Sequence, residues 1–203
     1  MDAAEPRPGR PRRSSREMLQ EAAAELFLER GYAATSVEQI ASRAGVSRNT
    51  FFNYFGGKPD VLWAAADELL AELESRLLTH PVREASVSAA VQIVAEVLRA
   101  PAAGALPLTL TQGEAMGVDA QVGEAGLRRL ARAGDLLHGF LSRAVAPTEA
   151  LAVRASAYAI TAVATAAVQE WAGAGVGRGA LADVFLRAWA ALETGEPLLH
   201  RPS

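Results

Sequence analysis

Between Ser47 and Lys58 the chain sets Arg48, Asn49, Asn53, two small hydroxyls and Tyr54 among three phenylalanines, and closes the run with its only lysine. Phe51 and Phe55 are four apart and share a helix face with Val46 below them, so they anchor that helix to a core. Arg48, Asn49, Asn53 and the hydroxyls of Thr50 and Tyr54 are then left outward or flanking. Arginine and asparagine on an exposed helix can read base edges in a major groove, while short hydroxyls and a lysine reach phosphates. Lys58 falls where a following helix begins, a place that also favours an anion. A solvated polar face is the bland alternative for SRNT taken alone.

The elements that must position these residues are all helical. Apolar spacing of three and four recurs almost everywhere, without sustained alternation, so the fold class is all-α. A first helix is expected over about 15–30, with Gly31 as its stop. A second, short helix starts at Thr35 or Ser36, where Thr35 and Glu38 have capping-box spacing, and shows Val37, Ile40, Ala41 and Ala44 as its buried stripe. Gly45 ends it and Ser47 caps a third helix reaching Tyr54 or Phe55. Pro59 suits the first turn of a long fourth helix running to about Thr79. Helix, short glycine-containing turn, helix is the helix-turn-helix arrangement, and it tips the balance toward DNA.

Charge supports this. The net charge is −3, yet residues 7–16 carry five arginines and no acid. Residues 1–14 read as a disordered basic arm by composition. With no cysteine, disulfides and zinc–thiolate sites are excluded, and a cytoplasmic setting is the simplest. His80, His138 and His200 are far apart in sequence, against a metal cluster. The longest apolar candidate, 155–168, is alanine-rich and short of a membrane span. Gly175, Gly177 and Ala180 nominally match a dinucleotide fingerprint, but they follow a helix rather than a strand and read as an interhelical loop. No catalytic motif emerges, so the chain is not expected to be an enzyme and no cofactor is expected.

The segment LQEAAAELFLERGYAATSVEQIASRAGVSRNTFFNYFGGKPDVLW, residues 19–63, resembles the DNA-binding domain of the TetR (tetracycline-repressor) family of bacterial, dimeric, ligand-responsive regulators. It carries A-x-x-L-F-x-x-x-G-Y, then T-S-x-x-x-I-A-x-x-A-G-V-S, then T-F-F-x-Y-F and a lysine. The resemblance implies a headpiece over 15–58 and a helical effector-binding and dimerisation body over 59–203. It implies phosphate contacts from Thr35 or Ser36, Thr50, Tyr54 and Lys58, base contacts from Arg48, Asn49, Phe52 and Asn53, and a place at the DNA for Ser47 as well. Phe52 stands where the family usually has tyrosine, which leaves apolar contact with a thymine methyl. Gly56-Gly57 replaces a Pro-Ser cap, which should loosen the entry to the fourth helix. In the arm, Pro8-Gly9-Arg10-Pro11-Arg12 is similar to an AT-hook core, so Arg10, Arg12 and Arg13 either follow a minor groove or form a solvated tail.

Beyond residue 80, helices are expected near 84–99, 106–116, 120–145, 147–173 and 178–194. Ala152, Ala155, Ala159, Ala162 and Ala166 form a stripe of small residues that lets another helix approach. The resemblance implies a homodimer built on the last two helices, the second contributing Leu181, Val184, Phe185, Ala188 and Leu192; an internal core helix is the alternative. Residues pairing an apolar body with a polar tip are candidates for an effector pocket: Thr111, Gln112, Met116, His138, Phe140, Tyr158, Thr161 and Thr165. Their low charge favours a hydrophobic or aromatic effector. T-F-F-x-Y-F and D-V-L-W also resemble an actinobacterial subgroup linked to acyl thioesters. The expected partners are thus double-stranded operator DNA, a second copy of the chain and such an effector, with a repressor as outcome. The alternative is a constitutive or architectural DNA-binding protein.

Overall fold

The computed structural model describes residues 15–100, 120–174 and 178–195, and among them every regular element is helical. Helix α1, Ser15–Arg30, turns Leu19, Ala22, Ala23, Leu26 and Phe27 inward at the spacing that makes one helical face. Helix α2, Val37–Arg43, buries Ile40 and Ala41, and α3, Arg48–Tyr54, buries Phe51. Gly45 between them has φ +70, in the left-handed region that side chains avoid, so a glycine is needed for the turn. With Tyr32 and Phe55 these residues make one small core. Phe27, Tyr32 and Phe51 are essentially fully buried there, each contributing about 1.5–3 kcal/mol of transfer free energy.

That core does not stop at residue 58. Val61 and Ala64 belong to it, and Trp63 packs against it. The single long helix expected over 59–79 is two: α4, Lys58–Leu62, and α5, Ala64–Thr79. Trp63, at φ −96 and ψ 7, departs from helical geometry between them, with its indole held at the junction of headpiece and body.

A 3₁₀ turn at Val82–Glu84 leads to α6, Val87–Leu98, whose first turn is capped by the Ser86 hydroxyl. Then follow α7, Ala120–Leu141, α8, Ala150–Gly173, and α9, Leu181–Thr194. They enclose a second core from Leu69 to Trp189 in which α5, α6, α7, α8 and α9 all take part. Helix α8 meets the helix expected over 147–173, but the 155–168 run read as short of a membrane span is part of a longer apolar helix that by length and hydropathy alone could cross one; only 22% of its most apolar window is buried. The arm, the helix expected over 106–116 and Gly175 to Gly177 lie outside the described residues.

Candidate DNA-contacting face and effector cavity

Two caps build the helix-turn-helix. Ser36 and Gln39 form a full capping box at the start of α2, with Gln39 N–H donating to the Ser36 hydroxyl at 3.2 Å and Ser36 N–H to Gln39 Oε1 at 2.8 Å. The box therefore uses Gln39, not Glu38, and starts at Ser36 rather than Thr35. Ser47 caps α3 by accepting from Thr50 N–H at 3.0 Å, and the two hydroxyls lie 2.8 Å apart. Arg43 at the end of α2 reaches back to α1, bonding Glu25 at 3.0 Å and Glu29 through both terminal nitrogens. Those bonds with Glu29 and Glu25 raise the Arg43 pKa, and the same bond with Arg43 lowers that of Glu29.

With α3 pinned by Phe51, its other side faces solvent. Arg48, Asn49, Asn53, Phe52 and Tyr54 are exposed together, the two aromatics at 42% and 44%. The Phe52 ring, though exposed, meets that of Phe51 edge-on at 5.4 Å. Arg48 lies over the Phe52 ring, 4.9 Å from its centroid, and pairs through Nε with Glu38 of α2 at 2.6 Å. The Glu38 carboxyl is held below its ordinary pKa, first by its own backbone N–H, then by the Ser36 hydroxyl, then by Arg48. Sequence spacing gave the exposed face but not this ion pair, which depends on the angle between α2 and α3.

Two residues expected on phosphate are turned inward. Thr35 is 2% exposed, and its hydroxyl donates to the carbonyls of Gly31 at 2.9 Å and Leu26 at 3.3 Å. Lys58 donates to the carbonyls of Tyr32 at 2.8 Å and Thr35 at 2.7 Å, with its ammonium over the Tyr32 ring. Both satisfy the buried turn between α1 and α2. Gly57, the N-cap of α4, makes no side-chain cap bond, as Gly56-Gly57 led one to expect. Lys58 ties the same entry to the turn instead, so it is not loose. At the other end of the headpiece Arg16 lies over Phe55 and 3.7 Å from Glu68 of α5.

In the body a cavity of about 330 Å³ opens between α5, α6, α7 and α8, its wall including Leu69, Leu73, Val94, Leu98 and Val168. Trp63 lines it too, and so joins the cavity to the headpiece core. A Cβ on Gly126 of α7 would lie 2.7 Å from the Trp63 ring, so a glycine is what permits that approach. Arg129 of α7, also in the wall, bonds Asp67 of α5 through Nε and Nη2 at 2.8 and 2.7 Å, Asp60 of α4 at 3.1 Å and the Ala125 carbonyl at 3.0 Å. Burial works against its charge, but the bonds to Asp67 and Asp60 prevail and its pKa is raised.

Of the residues expected to line a pocket, Thr165 does. Thr161 is buried and donates to the Ala157 carbonyl, Phe140 sits in the core under the His80 ring, His138 lies near Ser142 and Tyr158 is 48% exposed on the surface. None of these four is in the cavity wall. Thr111, Gln112 and Met116 lie outside the described residues. Besides Trp63, Arg129, Gln169 and two glycines, the wall residues that were missed are ordinary helix-face leucines, valines and alanines, which carry no signal in a sequence.

Residues 19–72 match the model of the bacterial regulatory proteins of the tetR family. A solved structure, that of the TetR-family repressor FadR of Thermus thermophilus in complex with lauroyl-CoA, superposes over 93% of this chain and 98% of its own at a TM-score of 0.55 and 25% identity. Over residues 19–72 the chain is thus similar to the tetR family. Among curated TetR-type relatives, the transcriptional regulator HbdR of an Aromatoleum strain is 38% identical over 73 residues, 33% of this chain and 32% of HbdR. TcmR of Streptomyces glaucescens is 35% identical over 135 residues, 64% of this chain and 54% of TcmR. The chain thus spans about a third to a half of the length of these relatives.

The helical body presents an open face. Ala152, Ala155, Ala162 and Ala166 on α8 are exposed, Ala159 is half-buried, and Leu151 is 81% exposed beside them. On α9, Leu192 is exposed and Val184 and Ala188 are half-buried. Leu181 and Phe185, expected at the same interface, are 3% and 0% exposed in the subunit's own core. All four share one helix face, and burial along it ends toward the C-terminus of α9, where Ala188 is half-buried and Leu192 exposed.

Proposed function

We propose that the protein is a transcriptional repressor that binds a near-palindromic operator as a homodimer and leaves it when a hydrophobic effector enters the body. The observation that carries this is the outward face of α3, where Arg48, Asn49, Phe52, Asn53 and Tyr54 stand exposed on a helix fixed by Phe51 and two caps. Arg48, Asn49 and Asn53 have the groups to read base edges, Phe52 to meet a thymine methyl, and Tyr54, Ser47 and Thr50 to hold phosphate. Residues 1–14, with Arg10, Arg12 and Arg13, would follow the backbone or the minor groove beside it.

A two-fold dimer through α8 and α9 would match two headpieces to two half-sites about one DNA turn or more apart. The exposed alanine face supports it, since large uncovered apolar surface is unusual on a monomer. The cavity supports an effector, and acyl thioesters are one candidate class, given the ligand in the Thermus structure. An effector shifts the operator equilibrium only by binding the two conformers unequally. Such a protein works in the cytoplasm, on DNA, without catalysis.

Selection of bound sequences from a random duplex pool, at near-physiological salt with competitor DNA, tests the reading. An enriched inverted repeat is expected. Binding without a motif that vanishes as salt rises would leave an architectural protein in its place.

A further inference from the structure

The cavity is apolar, but it has a charge preference. At about 330 Å³ it lies at the small end of ligand pockets, which run to roughly 1,000 Å³. Four residues of its wall carry hydrogen-bonding side chains: Trp63, whose indole is neutral, and Arg129, Thr165 and Gln169. Arg129 would ordinarily mark a site for an anion. Here its side chain is 14% exposed and all three guanidinium nitrogens are engaged, by both Asp67 oxygens, one Asp60 oxygen and the Ala125 carbonyl. One positive charge faces two negative ones, so the cluster keeps a net negative charge beside the cavity.

The other groups do not offset this. The Thr165 hydroxyl gives its proton to the Thr161 carbonyl at 2.8 Å and offers only lone pairs to a ligand. Gln169 is exposed and brings a neutral amide. Neighbouring cations are paired as well: Arg132 with Glu74, and Arg76 with Glu72 and Glu96. A carboxylate moved into this space loses its water and meets surplus negative charge, and the one cation in the wall among the described residues, Arg129, is already paired, whereas a neutral chain meets no such penalty.

We infer that the part of the effector that enters this cavity is uncharged and apolar, and that the cavity rejects the same hydrocarbon chain when it ends in a free carboxylate. This rests on the reading of the cavity as the effector site and adds to it a ligand class. An ester, an alcohol or a thioester satisfies it; a free fatty acid does not.

Titration calorimetry on the full chain without DNA, with 1-decanol and decanoate below their aggregation concentrations at neutral pH, tests it. Decanol is expected to bind at least about tenfold more tightly, the ratio that a difference near 1.4 kcal/mol produces. Asp60→Asn keeps an acceptor for Arg129 and removes one negative charge, so decanoate should gain several-fold while decanol stays unchanged. Decanoate binding as well as or better than decanol to the native chain would overturn the inference, whatever the variant does. Binding of neither overturns it too, and leaves operator recognition to be judged by the duplex selection alone.

Discussion

Lys58 holds its ammonium 4.3 Å from the centroid of the Tyr32 ring and donates to the Tyr32 carbonyl at 2.8 Å, joining the start of α4 to the turn that follows α1. The lysine thus acts inside the headpiece. Lys58→Met strands the carbonyls of Tyr32 and Thr35, and should cost about 1.5–3 kcal/mol of stability, the range for hydrogen bonds to a charged group. Thermal unfolding reads this loss. The slope of log affinity against log salt should not change, since no phosphate contact is removed; a slope shallower by about one would return Lys58 to the DNA surface.

Residues of the α3 face should divide by what they touch. Arg48→Ala and Asn53→Ala should change the preferred base at single operator positions, each by about 1–3 kcal/mol, while Tyr54→Phe weakens all sequences alike. Glu38→Gln removes the charge that restrains Arg48 and should broaden the preference at the position Arg48 reads. Repeating the duplex selection with each variant distinguishes these outcomes. Equal losses on every sequence from all four would remove the division.

The α1–α2 tie predicts an acid-side weakness. Glu29 has its pKa lowered on folding by Arg43, so its stabilisation is present above the unfolded carboxyl pKa of 4.5 and is lost as pH falls through the lower, folded value. Helix α2 should loosen in that window. Glu29 is exposed, so the effect is small and fades with added salt. Unfolding midpoints measured from pH 6 down to pH 3 should show a shallower fall for Arg43→Met than for the native chain.

Gly126→Ala should displace the Trp63 indole, because the added carbon would stand 2.7 Å from it. Overpacking of this kind costs about 1–3 kcal/mol. Tryptophan emission should shift, and the binding of 1-decanol should weaken together with the headpiece's resistance to proteolysis.

Ala162→Arg places a long cation on the exposed face of α8. Sedimentation should then show a monomer where the proposed reading has the native chain dimeric, and operator affinity should fall while the circular dichroism spectrum is unchanged. An unchanged sedimentation coefficient would move the dimer contact elsewhere.

What the sequence disclosed followed from local rules. Ser47, Gly45, Phe51 and Phe55 announce the turn and the anchored helix through caps, left-handed backbone and four-residue spacing, all properties of near neighbours. The structure departs where distant groups compete. Thr35 and Lys58 look like surface donors until the carbonyls of Leu26, Gly31 and Tyr32 claim them, which requires knowing that α1 and α4 meet. Leu181 and Leu192 share a face of α9 and look alike, until the core covers the first turn of that helix and leaves the last one open. The cavity was the least legible part: Leu69, Val94 and Leu98 differ from core residues only in what they fail to touch. Trp63 looked like one more helical residue, and its backbone break has no signal in the residues beside it.

Trp63 serves two interiors, since its ring packs on the headpiece core and also forms part of the cavity wall. Domain exchange is where this matters. A graft that joins this headpiece to the body of another regulator at residue 58 would leave Val61, Trp63 and Ala64 with the wrong half, and the DNA-reading unit would lose part of its own floor. The seam belongs after Ala64, with a glycine supplied opposite the indole at the place of Gly126. Divergence in the body is constrained in the same way: a substitution that reshapes the cavity around Trp63 also acts on the footing of the helix that reads DNA.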